Sequence, residues 1–195
     1  MRKIFTLFIL LLLLPVTALA ADMNTVYVGG VELAGSSTSI AYATTNENGE
    51  VITEGATANN YNIMWDGSTL TLKDAYITNA AHEDNYRHPV EGAAIGVANS
   101  SGDANLTITL EGTNTIEDVS TGIFVFAHSS STGDATLTIT GGGSLTASVS
   151  ANSGILVQSN DGNATLSIEN AEVHKPQVAL PTVFWCGPRM DQTHR

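Results

Sequence analysis

The groups from which this sequence could build a site are few and scattered. His82-Glu83-Asp84-Asn85-Tyr86-Arg87-His88 is a polar run with two imidazoles six positions apart. Zinc needs three or four fixed ligands, and nothing in the run supplies a third, so it reads as a solvated loop. Asp103, Asp134 and Asn163 recur at one turn position and can stack as a ladder. Calcium is conceivable there, but the calcium-binding nonapeptide is absent and Asx residues at turns need no metal. The single cysteine, Cys186, excludes a disulfide framework and a cysteine-based zinc site. No metal and no cofactor is expected.

Sugar binding asks for aromatic platforms beside polar partners. Tyr27, Tyr42, Tyr61, Trp65, Tyr76 and Tyr86 precede the regular part of the chain, and Phe124 and Phe126 lie within it. Phe124, Trp65 and Tyr76 are the candidate ligand-binding residues. Against them stand structural roles: Phe124 packed under the His128 to Gly133 loop, and Trp65 as an aromatic of an N-terminal core. For catalysis, polysaccharide-cleaving β-helices use clustered carboxylates and a basic residue. The strand positions expected to face outward are Thr69, Thr71, Asn105, Thr107, Thr109, Thr136, Thr138, Thr140, Thr165 and Ser167, nearly all hydroxyls. No paired Asp or Glu rises from them, so no catalytic residue is assigned.

The elements that must position these groups repeat. Gly102-Asp103-Ala104-Asn105-Leu106-Thr107-Ile108-Thr109 returns as Gly133-Asp134-Ala135-Thr136-Leu137-Thr138-Ile139-Thr140. It returns again as Gly162-Asn163-Ala164-Thr165-Leu166-Ser167-Ile168-Glu169. A degenerate copy is Gly67-Ser68-Thr69-Leu70-Thr71-Leu72-Lys73. A second element recurs as Ala94-Ile95-Gly96-Val97, Gly122-Ile123-Phe124-Val125 and Gly154-Ile155-Leu156-Val157. A third, weaker one contains Tyr76-Ile77, Thr115-Ile116, Leu145-Thr146-Ala147 and Glu172-Val173.

Period-2 alternation means strands with Leu and Ile on one face and Thr on the other. A three-strand unit of this size cannot bury its apolar face alone, but stacked copies can. The expected fold is all-β: a right-handed parallel β-helix, or solenoid, of about four coils with an irregular N-terminal β cap. Leu70, Leu106, Leu137 and Leu166 should form one interior row, and Ile95, Ile123 and Ile155 another. An antiparallel β-sandwich is the alternative. Residues 67–174 hold the repeats. Residues 21–66 form the cap, with a hairpin at Gly29-Gly30 and a turn at Asn46-Glu47-Asn48-Gly49-Glu50. Residues 175–195 bring three prolines and no repeat, and are expected to be poorly ordered.

Met1-Arg2-Lys3, the apolar run Ile4 to Leu14, Pro15 and Ala18-Leu19-Ala20 together read as a signal peptide spanning 1–20, cleaved between Ala20 and Ala21. Eleven apolar residues are too few for a membrane span, which takes about 20. The product is expected to be secreted or at the cell surface, with no membrane insertion after cleavage. Between residues 21 and 174, 18 carboxylates face only Lys73 and Arg87, a balance of −16. A surface for nucleic acid is excluded, because it needs clustered cations.

Three phrases carry a resemblance: Val26-Tyr27-Val28-Gly29-Gly30-Val31, Trp65 to Ala75, and Thr107-Ile108-Thr109-Leu110-Glu111-Gly112-Thr113-Asn114-Thr115-Ile116. Over residues 25 to 173 the chain resembles exported, repeat-bearing "carbohydrate-binding domain-containing" proteins of gut-dwelling anaerobic bacteria. The resemblance implies a surface or secreted β-solenoid and brings no catalytic residues. The expected function is a non-enzymatic interaction module whose partner is a polysaccharide or a host or cell-surface glycan. A truncated polysaccharide lyase or hydrolase is the alternative. A third reading, from Thr136-Leu137-Thr138 and Thr69-Leu70-Thr71, is an ice-binding threonine face.

Overall fold

The computed structural model describes residues 26–36, 38–80, 90, 92–128, 133–151, 153–174 and, as backbone, 184–188. The leader with its Ala20/Ala21 cleavage site, the His82 to His88 run and most of the tail lie outside the described residues. Those described are all-β, with no helix among them.

The chain begins with short strands: β1 (Val26–Val28), β2 (Val31–Leu33), β3 (Ala41–Thr45), β4 (Val51–Ile52) and β5 (Ile63–Trp65). These pair antiparallel. Gly29 and Gly30 turn β1 into β2 with φ of 56° and 80°, two successive left-handed positions that suit a tight hairpin. Asn46 builds the β3–β4 turn, its Oδ1 accepting from the N–H groups of Asn48 at 2.9 Å and Glu50 at 3.0 Å.

Twelve strands follow, and their order is regular. They are β6 (Thr69–Lys73), β7 (Tyr76–Ile77), β8 (Ala93–Asn99), β9 (Ala104–Glu111), β10 (Thr113–Val119) and β11 (Thr121–Ala127), then β12 (Ala135–Gly141), β13 (Ser144–Val149), β14 (Ile155–Ser159), β15 (Ala164–Glu169), β16 (Glu172–His174) and β17 (Phe184–Pro188). Every third strand joins the same sheet. Sheet I runs β17-β14-β11-β8-β1-β2, sheet II β16-β13-β10-β7, and sheet III β15-β12-β9-β6-β5-β3-β4. From β6 onward all of these pairs are parallel; β1 and β5 lie antiparallel on β8 and β6.

Register follows the sequence similarity. Leu137 lies opposite Leu106 on one side and Leu166 on the other, and Ile123 lies between Ile95 and Ile155. Leu70 departs from the expected row: it faces Ile108, and Leu72 faces Leu110. A shift of two keeps side-chain parity, so Leu70 still points inward and is buried. The core is one continuous cluster shared by the three sheets.

Five residues of the tail lie among the described ones. Phe184–Pro188 has no sequence repeat, yet its backbone pairs with β14 as a parallel strand, Ile155 opposite Phe184 and Ser159 opposite Pro188. Proline is tolerated at such a position because the strand is at the margin of sheet I.

Corners are made by residues able to adopt positive φ. Asp74 (49°), Gly112 (65°), Gly141 (102°) and Asn170 (53°) each turn the chain from sheet III into sheet II. At Gly112 a side chain would also collide with the Asp74 carboxylate, which accepts from the Thr113 N–H at 2.9 Å. Asn114, 1% exposed, sits in an otherwise apolar row with Leu145 and Val173. Its Oδ1 accepts from the Ala75 N–H at 2.9 Å, and its Nδ2 donates to the Glu111 and Ser144 carbonyls, both at 3.1 Å. A single buried amide thereby satisfies backbone groups of three successive repeats.

Candidate functional site

Three outward faces are available, one per sheet, and they differ in kind. Sheet III presents hydroxyls. Strand alternation puts Leu and Ile inside and Thr outside. The parallel register then aligns Thr69, Thr107, Thr138 and Ser167 in one row. Thr71, Thr109, Thr140 and Glu169 form the next, and Asn105, Thr136 and Thr165 a third. Members of one row lie about 4.8 Å apart across the strands, and neighbouring rows lie about 6.7 Å apart along them. Among the described residues, the hydroxyls of Thr107, Thr109, Thr136, Thr138, Thr140 and Thr165 make no hydrogen bond to another protein group. Charge is confined to the rim, at Lys73, Glu111 and Glu169.

An aromatic cluster borders this array. The rings of Tyr42 and Tyr61 lie 5.5 Å apart, tilted by 49°, and the Lys73 ammonium sits 5.6 Å from the Tyr61 ring centre, within reach of a cation–π contact. Asn62 brings the parts together. Its N–H donates to the Ala43 carbonyl at 3.0 Å and its Oδ1 accepts from the Thr45 N–H at 3.0 Å, fixing it to β3. On its other side Asn62 takes the Lys73 N–H at 2.7 Å and returns Nδ2 to the Lys73 carbonyl at 2.9 Å. Tyr61 and Lys73 are therefore held by the backbone on either side of one asparagine. Neither was singled out as a site residue from the sequence. The only early signal was alternation: Ala43 is buried, so its neighbour Tyr42 must face out.

The three residues nominated from the sequence do not converge. Trp65 is 1% exposed, paired with Ala41 and Leu70 inside the cap. A ring so enclosed offers no face to a ligand, and Trp65 is a core residue. Phe124 lies on the outer side of sheet I, opposite Gly96 and Leu156. It is half-buried and stacks on Phe126 at 5.4 Å and 13°, and Phe126 meets the edge of His128 at 5.3 Å. Phe126 is 6% exposed despite its outward parity, and Val90 closes on Gly96 beside it. That face is largely packed on itself.

Tyr76 lies on sheet II, opposite Thr115. Its hydroxyl donates to Glu117 Oε2 at 3.4 Å. Local desolvation first, and the Glu117 carboxylate second, hold the phenol above its ordinary pKa.

The Asx ladder exists, and its job is backbone capping. Asp103 Oδ1 accepts from the Asp134 N–H at 2.9 Å, and Asp134 Oδ1 from the Asn163 N–H at 2.7 Å. Those lone pairs are committed to the protein. Among the described residues no three His, Cys, Asp or Glu side chains gather as a metal site.

Comparison with family models, curated proteins and solved structures finds no match for this chain.

Proposed function

We propose that this chain is an exported right-handed parallel β-helix that serves as a non-catalytic interaction module for glycans, secreted or at the cell surface. The helical reading is supported by the strand order, since sheets III, II and I are visited in the same sequence four times with consecutive copies in register. A right-handed path is the usual one for parallel crossovers. The observation that carries the functional reading is the outer face of sheet III. It is a register-aligned hydroxyl array, charged only at its rim, with an aromatic pair at one side, the mix of polar and aromatic groups that sugar recognition uses. The two face carboxylates, Glu111 and Glu169, are kept apart by β12, which favours binding over carboxylate-pair hydrolysis. A glycan array probed with the processed chain tests the reading: retention on at least one glycan class without product release is expected, and reducing ends appearing with time would point to the lyase or hydrolase alternative.

The same rows favour a second reading, a face that orders ice-like water. Asn105 lies in the outermost row and Ser167 keeps a hydroxyl, so neither interrupts the middle of the array. Thermal hysteresis in a dilute solution of the chain would establish this reading, and its absence would remove it.

A further inference from the structure

We infer that the glycan site is the outer face of sheet III together with Tyr42 and Tyr61, and that its ligand is an uncharged, extended polysaccharide. This rests on the glycan reading above and adds the face and the ligand class. Of the three faces, sheet I is occupied by its own Phe124–Phe126–His128 stack and by Val90. Sheet II begins and ends in strands of two and three residues, and its Tyr76 is engaged with Glu117. Sheet III combines the unengaged hydroxyls of Thr107, Thr109, Thr136, Thr138, Thr140 and Thr165 with an aromatic cluster, while Ser167 at its edge donates to Glu169 at 2.9 Å and Thr71 is buried.

The ligand class follows from charge. The hydroxyl rows contain no ionic group between their rims, so nothing in them pairs with a carboxylate or sulfate. The chain carries −12 overall, and a polyanion approaching it is repelled at low ionic strength. A neutral polymer meets no such barrier. Its own periodic hydroxyls can exchange hydrogen bonds with a periodic protein array, while a sugar ring packs against a tyrosine at the cap side. Because each contact replaces one made with water, many must act together. A long chain should therefore bind far better than a short oligosaccharide.

Affinity electrophoresis of the full processed chain tests this. Gels would contain hydroxyethyl cellulose, xyloglucan, galactomannan or starch as neutral probes, and polygalacturonate or chondroitin sulfate as anionic ones. Retardation by at least one neutral polymer, insensitive to salt, is expected. Thr107→Val with Thr138→Val removes two central hydroxyls and keeps strand-favouring shape. Together they should weaken binding about tenfold or more, at about 1.4 kcal/mol per decade. Tyr61→Ala should weaken it similarly, and Thr146→Val on sheet II should leave it unchanged. Circular dichroism melting would verify that each variant folds. Stronger retardation by an anionic polymer overturns the ligand class and leaves the glycan reading standing. Undiminished binding by the Thr107/Thr138 variant and by Tyr61→Ala overturns the face. Retardation by none of the six polymers overturns the glycan reading and this inference with it.

Discussion

At the N-terminal end of the stack, β1 and β5 lie antiparallel on the first parallel strands, and Val26, Val28, Ile63 and Trp65 are buried beneath or within that layer. At the C-terminal end, Leu166 is half-buried, and Ile168, equivalent to the buried Ile139, is 40% exposed. The residue types in the two rungs are nearly the same. Among the described residues, what differs is whether another strand layer lies on top. In a stacked fold each rung is buried by its neighbours above and below, so apolar sequence alone does not make a core position.

The largest test of that comparison replaces the same leucine in two rungs. Leu137→Ala, in an interior row at 0% exposure, should lower stability by about 2–5 kcal/mol. Leu166→Ala should lower it by less than half as much, because less contact is lost. Chemical denaturation of both variants measures this, and equal losses would mean that the end rung is as well covered as the middle. Asn114 comes next. Asn114→Leu matches the Leu145 and Val173 row in polarity but leaves the Ala75 N–H and the Ser144 and Glu111 carbonyls short of a partner. A loss of about 2–4 kcal/mol is expected. A neutral result would show that packing, and not the amide, holds these three repeats together.

Gly112→Ala should be milder, about 1–3 kcal/mol, from the positive φ and the displaced Asp74 carboxylate. Asn170→Gly, at the corresponding corner of the end coil, should be neutral or slightly stabilising, since asparagine there already adopts φ of 53°. The smallest effect concerns Asp66 in the cap. Partial burial raises its carboxyl, but donors from the Thr69 N–H at 2.7 Å and the Ser68 hydroxyl and N–H, each at 2.8 Å, outweigh this and leave it below its ordinary pKa. A depressed pKa stabilises the fold above the unfolded value of about 3.9. That contribution disappears as pH falls through the folded value. Asp66→Asn should therefore melt slightly lower than wild type at pH 7, with the gap closing as the wild-type carboxylate protonates in acid. A gap that persists in acid would assign the effect to shape instead of charge.

The strands and most of the register were legible because both have short-range signals. Alternation sets which face is inside, and the Leu-Thr-Ile phrases lie 31 and 29 residues apart, the spacing at which Leu106, Leu137 and Leu166 face one another. The Leu70 shift was not legible, since a two-residue slide preserves every inside–outside choice. The β17 pairing was equally hidden, because Phe184–Pro188 repeats none of the phrases found in the earlier strands. The candidate site was half visible. The threonine rows could be read from the repeats. The grouping of Tyr42, Tyr61 and Lys73 could not, as the two tyrosines belong to the irregular cap and Lys73 to the first repeat strand, and they meet through ring contacts and the hydrogen bonds of Asn62. Trp65 misled for a related reason: aromaticity invites a ligand, and only three-dimensional packing reveals that the ring is already surrounded.

The Asx ladder bears on how such a molecule can change its length. Each rung offers a side-chain acceptor to the N–H of the next and donates its own N–H to the side chain of the one before, as Asp134 does between Asp103 and Asn163. A duplicated coil would bring both halves of that contact with it, so an inserted copy would join its neighbours without further substitution. Gene duplication within the repeat could thus lengthen each hydroxyl row by one member at a time while the antiparallel N-terminal layer stays as it is.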